Sequence, residues 1–193
     1  PMLFLMQKLG LISDRFCYNL ELLIDLLNVK REEYGSSSAK NPTYSLAQQI
    51  YTKIPVIYGE ADSTNIVAMR WKGQFCENAK MLAYHNELPE LNHNEIVGWE
   101  NNSDLFQYIA LIWIKDKSHH ERVGIRQEIT KTILNNSAIS QYTVEVLEKN
   151  RMVRFLHLIH FGDWVSYWCA LAHEIDPSPV AKITQLKKEL SKL

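Results

Sequence analysis

The stretch IPVIYGEADSTNIVAMRWKGQFCENAK, from Ile54 to Lys80, carries two patterns in succession. Its opening, Ile54 to Gly59, is short, β-branched and closed by a glycine, which suits a buried strand. After a polar turn, Ser63 or Thr64 caps a helix that runs to about Lys80. Val67, Trp71, Phe75 and Ala79 recur at every fourth position and predict a stripe facing the core.

The same alternation continues downstream. Leu105 to Ile114 reads as a second buried strand, Glu121 to Leu134 as a helix and Tyr142 to Leu147 as a third strand. Met152 to Ala172 then forms a long helix, and Pro179 to Leu190 a final one. Upstream, apolar residues from about Leu3 to Leu27 have helical spacing. Gly10 and Ser13-Asp14 divide them into two helices, with Ser13 or Asp14 as a cap. Gly35 to Ser38 is a loop or hinge, and Thr43 to Tyr51 is a short helix capped by Asn41 with Pro42 at its first position. Strands alternating with helices predict an α/β fold: a three-layer αβα sandwich with a parallel sheet, preceded by N-terminal helices. Residues 1–49 form the helical segment and 50–193 the main domain. Ligands in such sheets bind outside the carboxyl ends of the strands, so the loops after Tyr58, Ile114 and Leu147 are of interest.

The 193 residues are 46% apolar, enough for a sizeable core. A formal net charge of −1 gives no basic footprint for nucleic acid or an anionic membrane. Met152 to Ala172 is the longest apolar stretch, but Arg154, His157, His160 and Asp163 interrupt it, which argues against a membrane span. Cys17, Cys76 and Cys169 are odd in number and far apart. They read as small core residues of a protein kept in a reducing cytoplasm. The apolar start at Pro1 has no basic region and no cleavage site, so it is read as a fragment lacking its upstream part rather than a signal peptide.

Chemistry is densest in Arg70 to Lys80 and Glu87 to Glu95, where carboxylates and a histidine are available to move protons. Glu77 lies off the apolar stripe, as an ordinary solvated helical glutamate also would. His93 follows Pro89 in a polar turn, where loop histidines are common. Glu90 and His93 are a weak candidate pair of metal ligands, because nothing completes the set. Val180, Ile183, Leu186 and Leu190 mark the apolar face of the last helix, and Lys187 lies at its edge. An ammonium there either snorkels to water or enters a pocket. His157 and His160 read as core or interface residues, and His119-His120 as a solvated turn.

Several strings together resemble the bifunctional phosphoglucose/phosphomannose isomerase family. They are Pro55 to Gly59, Arg70-Trp71-Lys72, Gln74, Glu77-Asn78-Ala79-Lys80, Leu88-Pro89-Glu90 and His93 to Trp99. Gly162-Asp163-Trp164, Asp176-Pro177, Pro179-Val180, Ile183 and Leu186-Lys187 continue the resemblance across nearly the whole chain.

The resemblance implies a sugar isomerase (SIS) fold, with residues 50–193 as the second of two SIS domains and the first absent from this chain. It implies Glu77 as the catalytic base, His93 as a ring-opening or proton-relay residue and Lys187 as an active-site lysine, with Lys188 the fallback for a one-residue slip. The implied reaction converts glucose 6-phosphate or mannose 6-phosphate to fructose 6-phosphate through a shared 1,2-enediol. That chemistry requires no metal and no redox cofactor. The implied partners are a sugar-phosphate substrate and a second copy in a homodimer, for which the aromatic, His-rich helix from Phe155 to Trp168 is a candidate contact surface. Cys76 stands where the family usually has Asn. The family's phosphate-binding Ser/Thr loops belong to the first domain, so the chain alone is expected to be inactive. A SIS domain that binds a sugar phosphate only as a regulator is the alternative, and it would need no base at position 77.

Overall fold

The computed structural model describes residues 2–118, 120–135 and 139–192. In chain order the elements are α1 (Met2–Lys8), α2 (Arg15–Tyr34), α3 (Pro42–Ile50), β1 (Ile54–Glu60), α4 (Asn65–Glu77) and β2 (Tyr84–Leu88). Three 3₁₀ turns follow, at Glu90–His93, Glu95–Trp99 and Ser103–Tyr108. The chain continues through β3 (Ile109–Lys115), α5 (Glu121–Leu134), β4 (Ser140–Glu145), α6 (Arg151–Ala172) and α7 (Ala181–Leu190). The four strands among the described residues are parallel, in the order β2-β1-β3-β4.

Alternation along the strands builds two cores. Ile57, Ala110, Ile112, Ile114 and Val144 face α3, α4 and α6. Tyr58, Leu88, Leu111 and Trp113 face the 3₁₀ turns and Leu134 of α5. These are the expected three layers. The stripe Val67, Trp71, Phe75, Ala79 is buried as its spacing predicts. The Asn41 side chain accepts from Thr43 N–H at 2.9 Å, and Pro42 opens α3.

Thr64 acts differently from a helix cap. Its Oγ1 accepts from Glu60 N–H at 3.0 Å and donates to Ile114 O at 3.3 Å, joining the ends of β1 and β3. Gly59 lets this turn close, since a Cβ there would lie 2.6 Å from the Asn65 backbone.

Some boundaries and roles differ from those expected. β2 was not expected: it is an edge strand whose Tyr84 and His85 are exposed, so it lacks an apolar alternation. The second expected strand starts at Ile109 rather than Leu105, because 103–108 is a 3₁₀ turn. The third runs from Ser140 to Glu145. α2 continues to Tyr34, whose phenol hydrogen-bonds His157 Nε2 at 2.8 Å and whose carbonyl accepts from Trp168 Nε1 at 2.8 Å. Much of the Phe155–Trp168 segment is therefore internal, buried beneath α2, α3 and α4, and is not a free contact surface. The exposed apolar stripes lie elsewhere. Ile125, Ile129 and Ile133 on α5 are each about half exposed, and Met2, Leu3, Phe4 and Leu5 of α1 are also exposed. Cys169 is buried, whereas Cys17 and Cys76 are only half-buried. Burial pushes the Cys169 thiol up to about 12. His119 lies outside the described residues, and His120 accepts from Arg122 N–H at the start of α5.

α4 and α6 approach each other closely at Trp71. The Trp71 ring stacks on Phe161 at 5.9 Å between centroids, and its Nε1 donates to Leu158 O at 2.8 Å. Gly162 lies against the indole, and a Cβ on it would fall 2.2 Å from Trp71 Nε1. Gly162→Ala should force the helices apart and cost roughly 1–3 kcal/mol, near the top of that range, in urea unfolding of the chain. An unchanged midpoint would show that the contact is looser than this packing.

Candidate active site

In a parallel sheet a helix that follows a strand runs back along it. α4 leaves the carboxyl end of β1 and returns over 13 residues, roughly 20 Å at 1.5 Å per residue. Glu77, its last residue, therefore stands exposed at the amino edge of the sheet. Its helix is oriented by a polar seam to α6. Gln74 Nε2 donates to Asp163 Oδ1 at 2.6 Å, Arg70 lies 3.8 Å from the same carboxylate, and Asn78 Nδ2 donates to Ser166 Oγ at 2.9 Å. Burial raises Asp163 above its ordinary value, against the pull of Gln74 and Arg70.

Glu77 lines a cavity of about 750 Å³ with Cys76, Lys80, Asp176, Lys182 and Ile183. The N-terminal end of α7 thus forms one wall. Lys187 lies further along α7, and the helix buries none of its own residues. Its apolar face, Val180, Ile183, Leu186 and Leu190, is substantially exposed.

His93 is at the other edge. It closes the turn after Leu88, which pairs with Glu60 at the carboxyl end of β1, and it is exposed. The structure brings Glu77 and α7 to one groove and does not bring His93 to it within one chain. The residues after His93 are occupied structurally. Asn94 accepts from Glu95 N–H at 2.6 Å, while Glu95 accepts from Asn86 Nδ2 at 2.5 Å and from Tyr58 O–H. Burial, then the Glu95 charge, pushes the Tyr58 hydroxyl far above the usual phenol range. Glu90 Oε1 accepts from Asn94 Nδ2 at 2.9 Å. Among the described residues no cluster of three or more His, Cys, Asp or Glu is arranged to hold a metal.

The carboxyl edge, where ligands of such sheets usually bind, is crossed by a buried ion pair of Asp116, just after β3, and Arg154 of α6. Arg154 also donates to Glu148 O at 2.9 Å and to Lys149 O at 2.8 Å. Burial alone would raise the Asp116 carboxyl, but hydrogen bonds from Arg154 and Ser118 and the guanidinium charge bring it below its ordinary value. The sequence reading did not identify this pair. Arg154, set inside an otherwise apolar stretch of helix, was the available signal.

Residues 39–190 match the family described as the bacterial phospho-glucose isomerase C-terminal SIS domain. The chain belongs to this family. It is 37% identical over its whole length to a bifunctional phosphoglucose/phosphomannose isomerase of Caldicellulosiruptor bescii, covering 57% of that protein. A protein of the same description from Thermoplasma acidophilum is 39% identical over 76% of the chain, which covers 46% of that protein. The chain thus spans about half the length of the relatives it matches. A solved glucose-6-phosphate isomerase-like protein of Thermus thermophilus superposes on 89% of this SIS domain chain, which covers 56% of it, with a TM-score of 0.68 at 19% identity. A glucosamine-6-phosphate deaminase of Thermotoga maritima superposes on 92%, with 51% of that protein covered and a TM-score of 0.61 at 13% identity. At these identities the structural matches establish the SIS fold. No helix among the described residues is long and apolar enough to cross a membrane.

Asp116→Asn would leave the Arg154 cation buried without its counter-charge, at a cost of about 3–5 kcal/mol at pH 7. Because the folded carboxyl titrates below its unfolded value, the pair contributes fully above about pH 4 and is lost as pH falls through the folded value. The stability gap between wild type and Asp116→Asn, read from urea unfolding, should hold from pH 8 to 5 and shrink only in stronger acid. A gap that closes near neutrality would assign the effect to another group.

Proposed function

We propose that this chain is the base-carrying C-terminal half of an aldose–ketose isomerase that interconverts glucose 6-phosphate or mannose 6-phosphate with fructose 6-phosphate. The observation that carries the reading is the whole-length 37% identity to a relative of that description, with Glu77 set in a groove of its own. The two aldoses differ only at C2, and removal of the C2 proton gives one enediol from both. Glu77 takes that proton as its carboxylate and returns it to C1, while the proton on O2 leaves and O1 gains one. The aldehyde carbon becomes the alcohol and C2 the carbonyl. Lys187 offers positive charge to the enediolate oxygens, and His93 exchanges a proton with the ring oxygen during opening.

His93 acts from a second copy. Glu77 and His93 stand at opposite edges of one sheet, so a site using both needs a homodimer. The half-exposed isoleucines of α5 line a surface cavity with Asn92, the neighbour of His93, and supply apolar area for such a contact. The phosphate is held by the first half of the protein, and its binding energy positions the carbons against Glu77. The isolated chain therefore folds but does not turn over. Its separate thiols fit a reducing cytoplasm, which we take as its compartment.

Glu77→Gln in the full-length protein keeps the shape and removes the base, so turnover should fall about 10²–10⁴-fold, together with exchange of the C2 hydrogen with solvent. Near-normal turnover would remove the base assignment and favour a regulatory sugar-phosphate-binding domain. Mixed and re-equilibrated Glu77→Gln and His93→Ala subunits should recover part of the lost activity. No recovery despite proven subunit exchange would place both residues in the same chain's site.

A further inference from the structure

The chain leaves α4 through a left-handed residue. Lys80 has φ 56, and the turn it makes lets Met81 N–H reach back to Phe75 O at 3.1 Å. Glycine ordinarily takes such a position at a helix end, because a Cβ crowds the left-handed backbone. A lysine there carries a conformational cost, which points to work done by its side chain. That side chain is committed: Nζ donates to Glu77 O at 2.5 Å and to Pro177 O at 2.9 Å. Among the described residues the second bond is the one hydrogen bond that ties residues 176–190 to the rest of the chain. The ammonium also faces Asp176, whose carboxyl is held below its ordinary value first by Ser178 and further by the Lys80 charge. Beyond this tie, α7 has no buried residue to fix its place.

We propose that Lys80 is a positioning residue that clamps the α7 segment across the groove and so sets where Lys187 stands relative to Glu77. The proposal rests on the isomerase reading of that groove. It assigns to the last residue of the Glu77-Asn78-Ala79-Lys80 string a role that acts through Lys187, with no contact to substrate required.

The test is Lys80→Gly in the full-length protein, because it removes the clamp and also relieves the left-handed backbone. A merely structural lysine would leave function intact and raise the melting temperature. The clamp predicts an unchanged or higher melting temperature, together with amide exchange across residues 181–190 about fivefold faster or more and exchange in β1 and α4 unaltered. It also predicts a kcat for fructose 6-phosphate about tenfold lower, with KM within about twofold. Lys80→Arg, which keeps the donors, should retain most of kcat. Wild-type exchange in α7 of Lys80→Gly would overturn the proposal, as would a freed α7 with wild-type kcat. Glu77→Gln assayed alongside separates the two levels. Normal turnover there removes the isomerase base itself, whereas a large loss there beside an unimpaired Lys80→Gly removes only the clamp.

Discussion

Trp71 lies flat on Phe161 with Gly162 against its indole nitrogen, and the amino edge of the sheet takes its shape from that contact. The absence of a side chain at 162 lets α4 settle close to α6. Close approach brings Gln74 onto Asp163 and Asn78 onto Ser166, and these bonds fix the rotation and end of α4. Glu77 and Lys80 lie at that end. The groove they share with Asp176 and Lys182 is therefore supported by an interior packing contact, although the groove itself is open.

A second constraint is directional. Because β1 and β2 are parallel, the helix between them must return to the amino edge, and the turn after β2 must emerge at the carboxyl edge. Glu77 and His93 are only 16 positions apart in sequence, yet this topology sends them to opposite ends. The Asp116–Arg154 pair reinforces the division, since it crosses the carboxyl edge below the loops where such sheets commonly bind ligands. This separation of Glu77 from His93 is the reason the proposed function calls on a second copy of the chain.

The buried parts of the fold were legible in the sequence for direct physical reasons. Ile57 to Gly59 and the stripe Val67, Trp71, Phe75 and Ala79 are buried, so their patterns record the core. Asn41-Pro42 marks a helix start by chemistry alone. β2 was not legible, because an edge strand bearing Tyr84 and His85 toward solvent has no apolar alternation to read. Leu105 to Tyr108 look like the start of the strand that follows, so the sequence does not reveal the 3₁₀ turn over Ser103–Tyr108. At the candidate site the family-like strings named residues but not edges. The left-handed backbone of Lys80 carries no sequence signature, because a lysine at a helix end is ordinary.

The proposed function locates proton transfer in the groove beneath α7, at the amino edge, against Glu77. A crystal structure of the full-length protein with a stable analogue of the 1,2-enediolate tests this most directly. It should show a Glu77 oxygen about 3 Å from the carbons corresponding to C1 and C2, with α7 closing over the analogue. The His93 nearest the analogue should come from a second subunit. An analogue bound instead at the carboxyl edge beside its own chain's His93, with Glu77 open to solvent, would contradict it.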